Sequence, residues 1–543
     1  MKVLIIGGVA AGMSAATRLR RLDETAEIIV FERGEHVSYA NCGLPYYLSD
    51  VISERTALLL QTPESLHQRF RLDVRVNHEV LSIDREAKKV SYKDLSTGAV
   101  SDETFDRLVI ATGAKPRPLN VPGEERVLYL RDVNDADNAK SLLGSGKTKS
   151  AVIVGGGFIG VELAENLVRL GLKVSLVHRS SSLLSIFDPE MIAPFEQSLI
   201  QSGVDLHLNS KPMSITSDSV ILDSGQTLAA DAVFAAAGVQ PESWLAQAAG
   251  LEMAAHGGIK VDETLQTSDA NIFAAGDAVE KPELFTGDDG LVPLANLANH
   301  HGRIIADVIA GRHVRNSKSL GTAIVGAFGM VAAITGLSER AALSAGLNIQ
   351  VIHLHPGSHA GYYPGAERMA LKVVFDKVTG RIYGAQAVGA DGVDKRIDVL
   401  STSIRAGFTV DDLMDLELAY APQFGSAKDA VNLAGYVGNN VWHGVTPTVQ
   451  WHEVAQLLGS GCEFIDVRTA EEYAQGHIPG AVNIDVNNLR DQIAQLKTED
   501  PVVYCAVGQR GHIATQILKS YGLTPRNLDG GYSTWVVSKD KHT

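Results

Sequence analysis

Lys2-Val-Leu-Ile-Ile6 runs into Gly7-Gly-Val-Ala-Ala-Gly12 at the start of the chain, and Ala151-Val-Ile-Val154 runs into Gly155-Gly-Gly-Phe-Ile-Gly160 further on. Each is a short apolar strand, a glycine turn and then a helical stretch. The first turn leads into a helix up to Leu22, and the next strand, Glu27 to Phe31, ends at Glu32, 20 residues after Gly12. That spacing is the dinucleotide-binding fingerprint: amides at the helix start receive a pyrophosphate, and the acidic residue accepts from a ribose hydroxyl. Val9 stands where the second glycine of the motif usually falls.

The second turn opens a helix carrying Glu162 and Glu165, and the strand after it, Val174 to Val177, ends in His178-Arg179-Ser180. Two such turns predict an α/β protein with one domain for a flavin and one for a nicotinamide. Leu108-Val-Ile-Ala-Thr-Gly113, Val233-Phe-Ala-Ala-Ala-Gly238 and Ile272-Phe-Ala-Ala-Gly-Asp277 supply further strand ends in the expected order. The candidate cofactor contacts are Gly7, Gly8, Ala10, Ala11, Gly12, Glu32, Arg33, Asn41, Thr112, Gly113, Gly155, Gly157, Phe158, Ile159, Gly160, His178, Arg179, Gly238, Gly276 and Asp277. A carboxylate after the second strand would select NADH. An arginine there suits a 2′-phosphate, so the reading leans to NADPH, with use of both cofactors next.

The bulk properties bound the class. A length of 543 residues predicts three or four domains, and a net charge of -15 argues against nucleic acid as the main partner. Three cysteines build no disulfide framework, which points to a reducing cytoplasm. The stretch Ala323 to Leu337 is broken by three glycines and a threonine and reads as buried strands, not a membrane span. No metal-ligating set is expected.

Two solitary thiols carry the chemistry. Cys42 lies in Ser38-Tyr-Ala-Asn-Cys-Gly-Leu-Pro-Tyr46, and Tyr47 stands where a CxxxxC pair would place its second sulfur. One cysteine cannot cycle as an internal disulfide, but it can form a mixed disulfide, a persulfide or a sulfenic acid. A helix N-terminus nearby would favour its thiolate. Cys505 opens Cys505-Ala-Val-Gly-Gln-Arg510 directly after the apolar run Val502-Val-Tyr504. A loop of that kind places backbone N–H donors, a helix start and Arg510 around a thiolate or persulfide. Cys462 reads as structural. The glycine- and asparagine-rich region from Gly435 to Thr448 reads as a domain boundary.

Residues 1 to 440 resemble the two-dinucleotide flavoprotein disulfide reductases, in which the aspartate matching Asp277 binds the flavin ribityl chain. The Cys42 segment resembles the branch of coenzyme A-disulfide reductases and NAD(P)H-dependent persulfide reductases, and more distantly the single-cysteine NADH oxidases and peroxidases. His359-Ala-Gly-Tyr-Tyr-Pro-Gly365 and Leu418-Ala-Tyr-Ala-Pro422 resemble that branch's dimerisation domain. The resemblance implies a homodimer in which Tyr362 and Tyr420 reach the partner's cysteine, and coenzyme A contacts at Ser14, Arg18, Arg21, Ser38, Asn41 and Lys428; Arg71, beside Phe70, is a further candidate substrate contact. Arg18 and Arg21 share a helix face and could bind phosphates. Phe70 and Gln423 depart from the branch's pattern. Asp466-Val-Arg468, Gly476-His-Ile-Pro-Gly-Ala481 and Gly530-Gly-Tyr-Ser-Thr-Trp535 resemble a rhodanese domain.

The expected architecture is two Rossmann-like domains, an α+β dimerisation domain and a C-terminal α/β rhodanese domain. The boundaries expected are 1–118 with 246–322 for FAD, 119–245 for NAD(P)H, 323–438 for dimerisation, 439–448 for a linker and 449–543 for the rhodanese domain. The expected activity is NAD(P)H-dependent reduction of coenzyme A disulfide, coenzyme A persulfide or polysulfide at Cys42, with FAD as carrier and coenzyme A as a further bound group. Cys505 is expected to hold sulfane sulfur. The rival readings are an NAD(P)H oxidase or peroxidase cycling through sulfenic acid, and a redox sensor with a partner-binding module.

Overall fold

The computed structural model describes residues 1–539 and 541, which divide into two compact units. The first comprises Met1–Arg179 and Gly203–Ser319; the second comprises Ser180–Ser202 and the chain from Leu320 onward.

In the first unit, strand Lys2–Ile6 sits at the centre of a parallel five-stranded sheet. Glu27–Phe31 and then Asp73–Arg75 lie to one side, Arg107–Ile110 and then Ile272–Ala274 to the other. Both faces of this sheet are covered, so its strands read as continuous apolar runs, and Val3, Leu4 and Ile5 are fully buried. Helix Ala10–Leu22 follows the first turn and packs closely on helix Ala295–Ile309. The approach depends on Gly302, where an added Cβ would come within 2.8 Å of the Ala15 amide nitrogen. A second parallel sheet has the order Val204–His207, Lys173–Val177, Ser150–Val154, Ala232–Ala235, Val127–Leu128. The two sheets carry the two glycine turns at corresponding strand ends.

The second unit contains an antiparallel sheet in the order Ala323–Ala327, Met330–Gly336, Ile382–Gly389, Met369–Asp376, Ile349–Leu354. The apolar stretch from Ala323 thus forms two strands, as its glycines predict, and no described helix is long and apolar enough to cross a membrane. Residues 435–442, expected at a domain boundary, lie in helix Ala430–Trp442. Their glycines are packing positions: a Cβ on Gly435 would meet the Met414 backbone at 2.7 Å, and one on Gly438 would meet Val410 at 2.8 Å.

The C-terminal module is a parallel sheet ordered Thr448–Val449, Arg526–Leu528, Val502–Tyr504, Phe464–Asp466, Val482–Asn483, with helices Gln509–Ser520 and Gly531–Ser538. Asp466 and Arg468 of the Asp-Val-Arg motif form a buried pair at 2.6 Å. Arg468 also donates to the Gly476 carbonyl at 2.6 Å and lies over the Tyr532 ring, so the motif braces three segments of the module.

Candidate active sites

The first glycine turn is sterically required. Gly7 has φ +106°, and a Cβ on Gly12 would collide with the Gly7 carbonyl oxygen. Helix Ala10–Leu22 has no side-chain cap and no acidic residue in its first turn, so its leading N–H groups are available to an anion. One cleft is lined by Gly7, Ala10, Ala11, Glu32, Arg33, Asn41, Thr112, Gly113, Gly276 and Asp277, all expected from sequence. Gly8 and Gly12 shape the turn behind it.

Glu32 accepts from the Gly8 and Gly34 amides, both at 2.8 Å, which fixes its carboxylate at the strand end. Asp277 Oδ1 is buried without a hydrogen-bond partner, and burial pushes its carboxyl upward in pKa, with Lys281 opposing. An orphaned buried acceptor in a cleft beside amide donors fits a ligand carrying both hydroxyls and phosphates. The dinucleotide FAD has that donor and acceptor set, and the residues present fit it.

The second turn repeats the construction. Gly155 has φ +117°, and a Cβ on Gly160 would strike the Gly155 carbonyl oxygen. Gly157 caps helix Phe158–Arg169 without a side-chain bond. His178 Nδ1 accepts from the Gly156 amide at 3.1 Å. Ile159 and Arg179 are exposed, and Phe158 is half-buried. The Gly238 carbonyl accepts from the Arg117 amide.

Cys42 lies in the short turn Asn41–Gly43, ahead of helix Leu44–Leu48, and is exposed as a residue. The helix does not make its thiol acidic here. Burial pushes the thiol up, and the carboxylates of Glu162 and Asp277 push it further in the same direction. Glu162 is itself raised by burial and accepts from the Tyr46 hydroxyl at 3.1 Å. Glu162 is a site residue that sequence spacing does not reveal, because it comes from the second turn's helix. Tyr47, at the place of the absent second sulfur, is buried and donates to Asp137 at 3.2 Å.

The expected coenzyme A contacts divide. Ser14 donates to Asn299 at 2.6 Å, and Arg18 is paired with the buried Asp307 at 2.8 Å, so its guanidinium braces two helices. Arg21 is exposed, and its Nε donates to the Thr17 carbonyl. Ser38 and Arg71 both occupy left-handed backbone positions, with φ +48° and +50°. Asn41, Arg71 and Lys428 are exposed, the last in the second unit. Tyr362 and Tyr420, also in the second unit, are both exposed, and their hydroxyls are 2.9 Å apart.

Cys505 follows strand Val502–Tyr504 and is 1% exposed. Gly508, in the left-handed region at φ +93°, starts helix Gln509–Ser520 without a side-chain cap. Arg510 donates twice to Glu472, at 2.6 and 2.7 Å. That pairing chiefly raises the guanidinium pKa, with Cys505 as a further neighbour, and it holds the Glu472 carboxyl down at about 2. Glu472 is thus part of the cysteine loop, a role its place in the sequence does not signal. Cys462 is half-buried, beside Arg526 at 3.6 Å.

The first unit therefore has the construction of a two-dinucleotide redox protein with a lone thiol, and the second ends in a cysteine-loop module. The chain belongs to the pyridine nucleotide-disulphide oxidoreductase family: that description matches residues 1–302, its dimerisation domain matches 322–431, and a rhodanese-like domain matches 450–538. It is 33% identical over 436 residues to the coenzyme A disulfide reductase of Staphylococcus epidermidis, covering 80% of this chain and 99% of that protein. Its structure resembles reduced CoADR-RHD of Bacillus anthracis, with 42% identity and a TM-score of 0.98 over 99% of this chain and 98% of that one. It also resembles an NAD-dependent persulfide reductase from A. fulgidus, with 34% identity and a TM-score of 0.93 over 98% and 100% of the two chains.

Proposed function

We propose that this oxidoreductase uses NAD(P)H and FAD to reduce coenzyme A disulfide, coenzyme A persulfide or polysulfide at Cys42, and that Cys505 carries sulfane sulfur. The observation that carries the reading is a lone exposed sulfur beside the first cleft, with a buried tyrosine where a second sulfur would stand. The resemblance to a coenzyme A disulfide reductase and a persulfide reductase supports it.

FAD, when bound, supplies a two-electron carrier between the nicotinamide and sulfur. Gly7 to Gly12, Glu32, Thr112, Gly113, Gly276 and Asp277 would hold it, and Gly155 to Gly160 with His178 and Arg179 would hold the nicotinamide dinucleotide. The Cys42 thiolate attacks one sulfur of the substrate, forms a mixed disulfide and expels the other half as a thiolate or hydrosulfide. Two electrons then break that bond, releasing the second thiol and restoring Cys42. The balance is one NAD(P)H and one proton for each S–S bond cleaved, giving two thiols from a disulfide and a thiol with hydrogen sulfide from a persulfide.

In this reading residues 1–118 with 246–322 serve FAD, 119–245 serve NAD(P)H, 323–438 form a homodimer and 449–543 carry sulfur. Ser14, Arg18, Arg21, Ser38, Asn41, Arg71 and Lys428 address coenzyme A, while Tyr362 and Tyr420 assist the departing thiolate. The test is anaerobic oxidation of NADH and NADPH with coenzyme A disulfide, coenzyme A persulfide or polysulfide. Turnover that needs the sulfur compound and disappears in Cys42→Ser is expected. Turnover that needs oxygen and ignores sulfur compounds would overturn the proposal.

A further inference from the structure

The second unit holds a buried chain of charges that none of the steps above uses. Lys372, on strand Met369–Asp376, is fully buried; its Nζ lies 2.9 Å from Asp188 and 2.5 Å from Glu339, and also bonds Glu190. Glu190, on helix Pro189–Gln201, faces His353 Nε2 at 3.2 Å. His353 Nδ1 faces Asp529 Oδ2 at 2.7 Å. The His353 and Asp529 side chains are 2% and 3% exposed.

An imidazole whose two nitrogens both meet carboxylates satisfies both contacts only as the cation, donating from each. Desolvation opposes that charge, but the bonds to Asp529 and Glu190 outweigh it and lift His353 to about 9, with Lys372 opposing. His355, just beyond the end of the strand Ile349–Leu354 that carries His353, is held neutral by burial, at about 4, and its Nε2 meets the Thr534 hydroxyl at 2.8 Å.

Asp529 begins the turn that closes the cysteine loop. Gly530 and Gly531 both have left-handed backbones, with φ +67° and +63°. A Cβ on Gly530 would lie 2.8 Å from the His353 Cβ, and one on Gly531 would lie 2.5 Å from the Cys505 carbonyl oxygen. The next two amides, of Tyr532 and Ser533, donate to the Cys505 and Ala506 carbonyls at 2.8 and 2.9 Å. Two consecutive glycines therefore separate His353 from the backbone of Cys505.

We propose that His353, a residue of the antiparallel sheet, is a positioning residue for sulfur transfer at Cys505, acting through Asp529 and the Gly530-Gly531 turn. The proposal rests on the reading of Cys505 as a sulfur carrier. With thiosulfate as probe, the Cys505 thiolate attacks the outer sulfur. Sulfite leaves with the electron pair of the broken S–S bond, and a cysteine persulfide forms. Cyanide then takes the outer sulfur as thiocyanate and returns the thiolate. The loop's backbone sets the angle of the Cys505 sulfur in both half-reactions.

The test uses the full chain with His353→Gln and Asp529→Asn. Thiosulfate-to-cyanide transfer is measured from about pH 6 to about pH 10, across the range in which a perturbed histidine titrates. The expected result is a fall in kcat of about tenfold, with KM for thiosulfate little changed. A wild-type basic limb near pH 9 should vanish in both variants, and NAD(P)H-dependent reductase activity should be retained. The rate of Cys505 alkylation by iodoacetamide, read by peptide mass spectrometry, should also shift in both. Wild-type kcat and pH profile in both variants would overturn the proposal, as would a proportional loss of both activities. If His353→Gln does not accumulate, Asp529→Asn decides by the same criteria. Absence of transfer in the wild type would refute the carrier reading alone; unchanged alkylation rates in the variants would then overturn the positioning.

Discussion

The His353 bridge makes the second unit's stability depend on pH in a window where few other groups titrate. Folding raises His353 from 6.5 to about 9. A group raised in the folded state contributes fully below its unfolded pKa and loses that contribution as pH rises through the folded value. The rise corresponds to about 3 kcal/mol at 1.36 kcal/mol for each pH unit. The contribution is therefore complete at about pH 6 and mostly gone near pH 9.5. Three of the four tryptophans, Trp442, Trp451 and Trp535, belong to the same unit, so urea unfolding followed by tryptophan fluorescence reports on it. Between those two pH values the wild type should lose about 3 kcal/mol more than His353→Gln does. Equal pH dependence in the two proteins would refute the assignment of a buried imidazolium. A variant more stable than the wild type at low pH would refute it too, since removing one partner of a buried ion pair strands the other charge.

Three further substitutions address the cysteine sites and the flavin cleft. Gly12→Ala puts a methyl into the Gly7 carbonyl and should weaken flavin retention about tenfold, read as visible absorbance of the purified protein. Glu162→Gln removes a carboxylate that pushes the Cys42 thiol up, so alkylation of Cys42 by iodoacetamide at neutral pH should quicken about threefold. Glu472→Gln strips Arg510 of a two-bond partner; the side chains are 35% and 31% exposed. Solvent screening limits the stability loss to about 1 kcal/mol, while Cys505 should alkylate faster beside an unpaired guanidinium.

What was legible in the sequence was what local geometry dictates. Gly7, Gly12, Gly155 and Gly160 read correctly because each fills a position where a Cβ strikes a neighbouring carbonyl, and that requirement leaves a fixed spacing. Glu32 was legible because it follows the second strand at the fingerprint's spacing, and Asp277 because its segment resembles a family motif. Glu162 was not, since its effect on Cys42 arises where the second turn's helix meets the first turn's cysteine segment. The Arg510–Glu472 pair likewise joins two segments 38 residues apart, with no periodicity to announce it. Gly435 and Gly438 read as part of a loose boundary region; they sit inside a helix, packed against Met414 and Val410, a role composition does not signal. The Lys372 cluster was hidden most completely, because it gathers two helices, two strands and a turn that lie far apart in the chain.

The two nucleotide turns differ in one side chain that does the same structural job. At the first, Glu32 Oε2 accepts from the Gly8 amide; at the second, His178 Nδ1 accepts from the Gly156 amide. Each ties the strand end to the second residue of the glycine turn. A carboxylate that does this still offers acceptor lone pairs, the property a ribose diol needs. The imidazole that replaces it, engaged at Nδ1 by the Gly156 amide, brings no carboxylate to this position. An imidazole there, followed by the exposed Arg179, exerts no repulsion on a 2′-phosphate, whereas a second carboxylate would. The expected lean towards NADPH rests on Arg179 and on the lack of a carboxylate at the second strand end. His178→Glu would restore the acceptor of the first turn at the second and should shift preference towards NADH, measured as the ratio of kcat/KM for the two nucleotides.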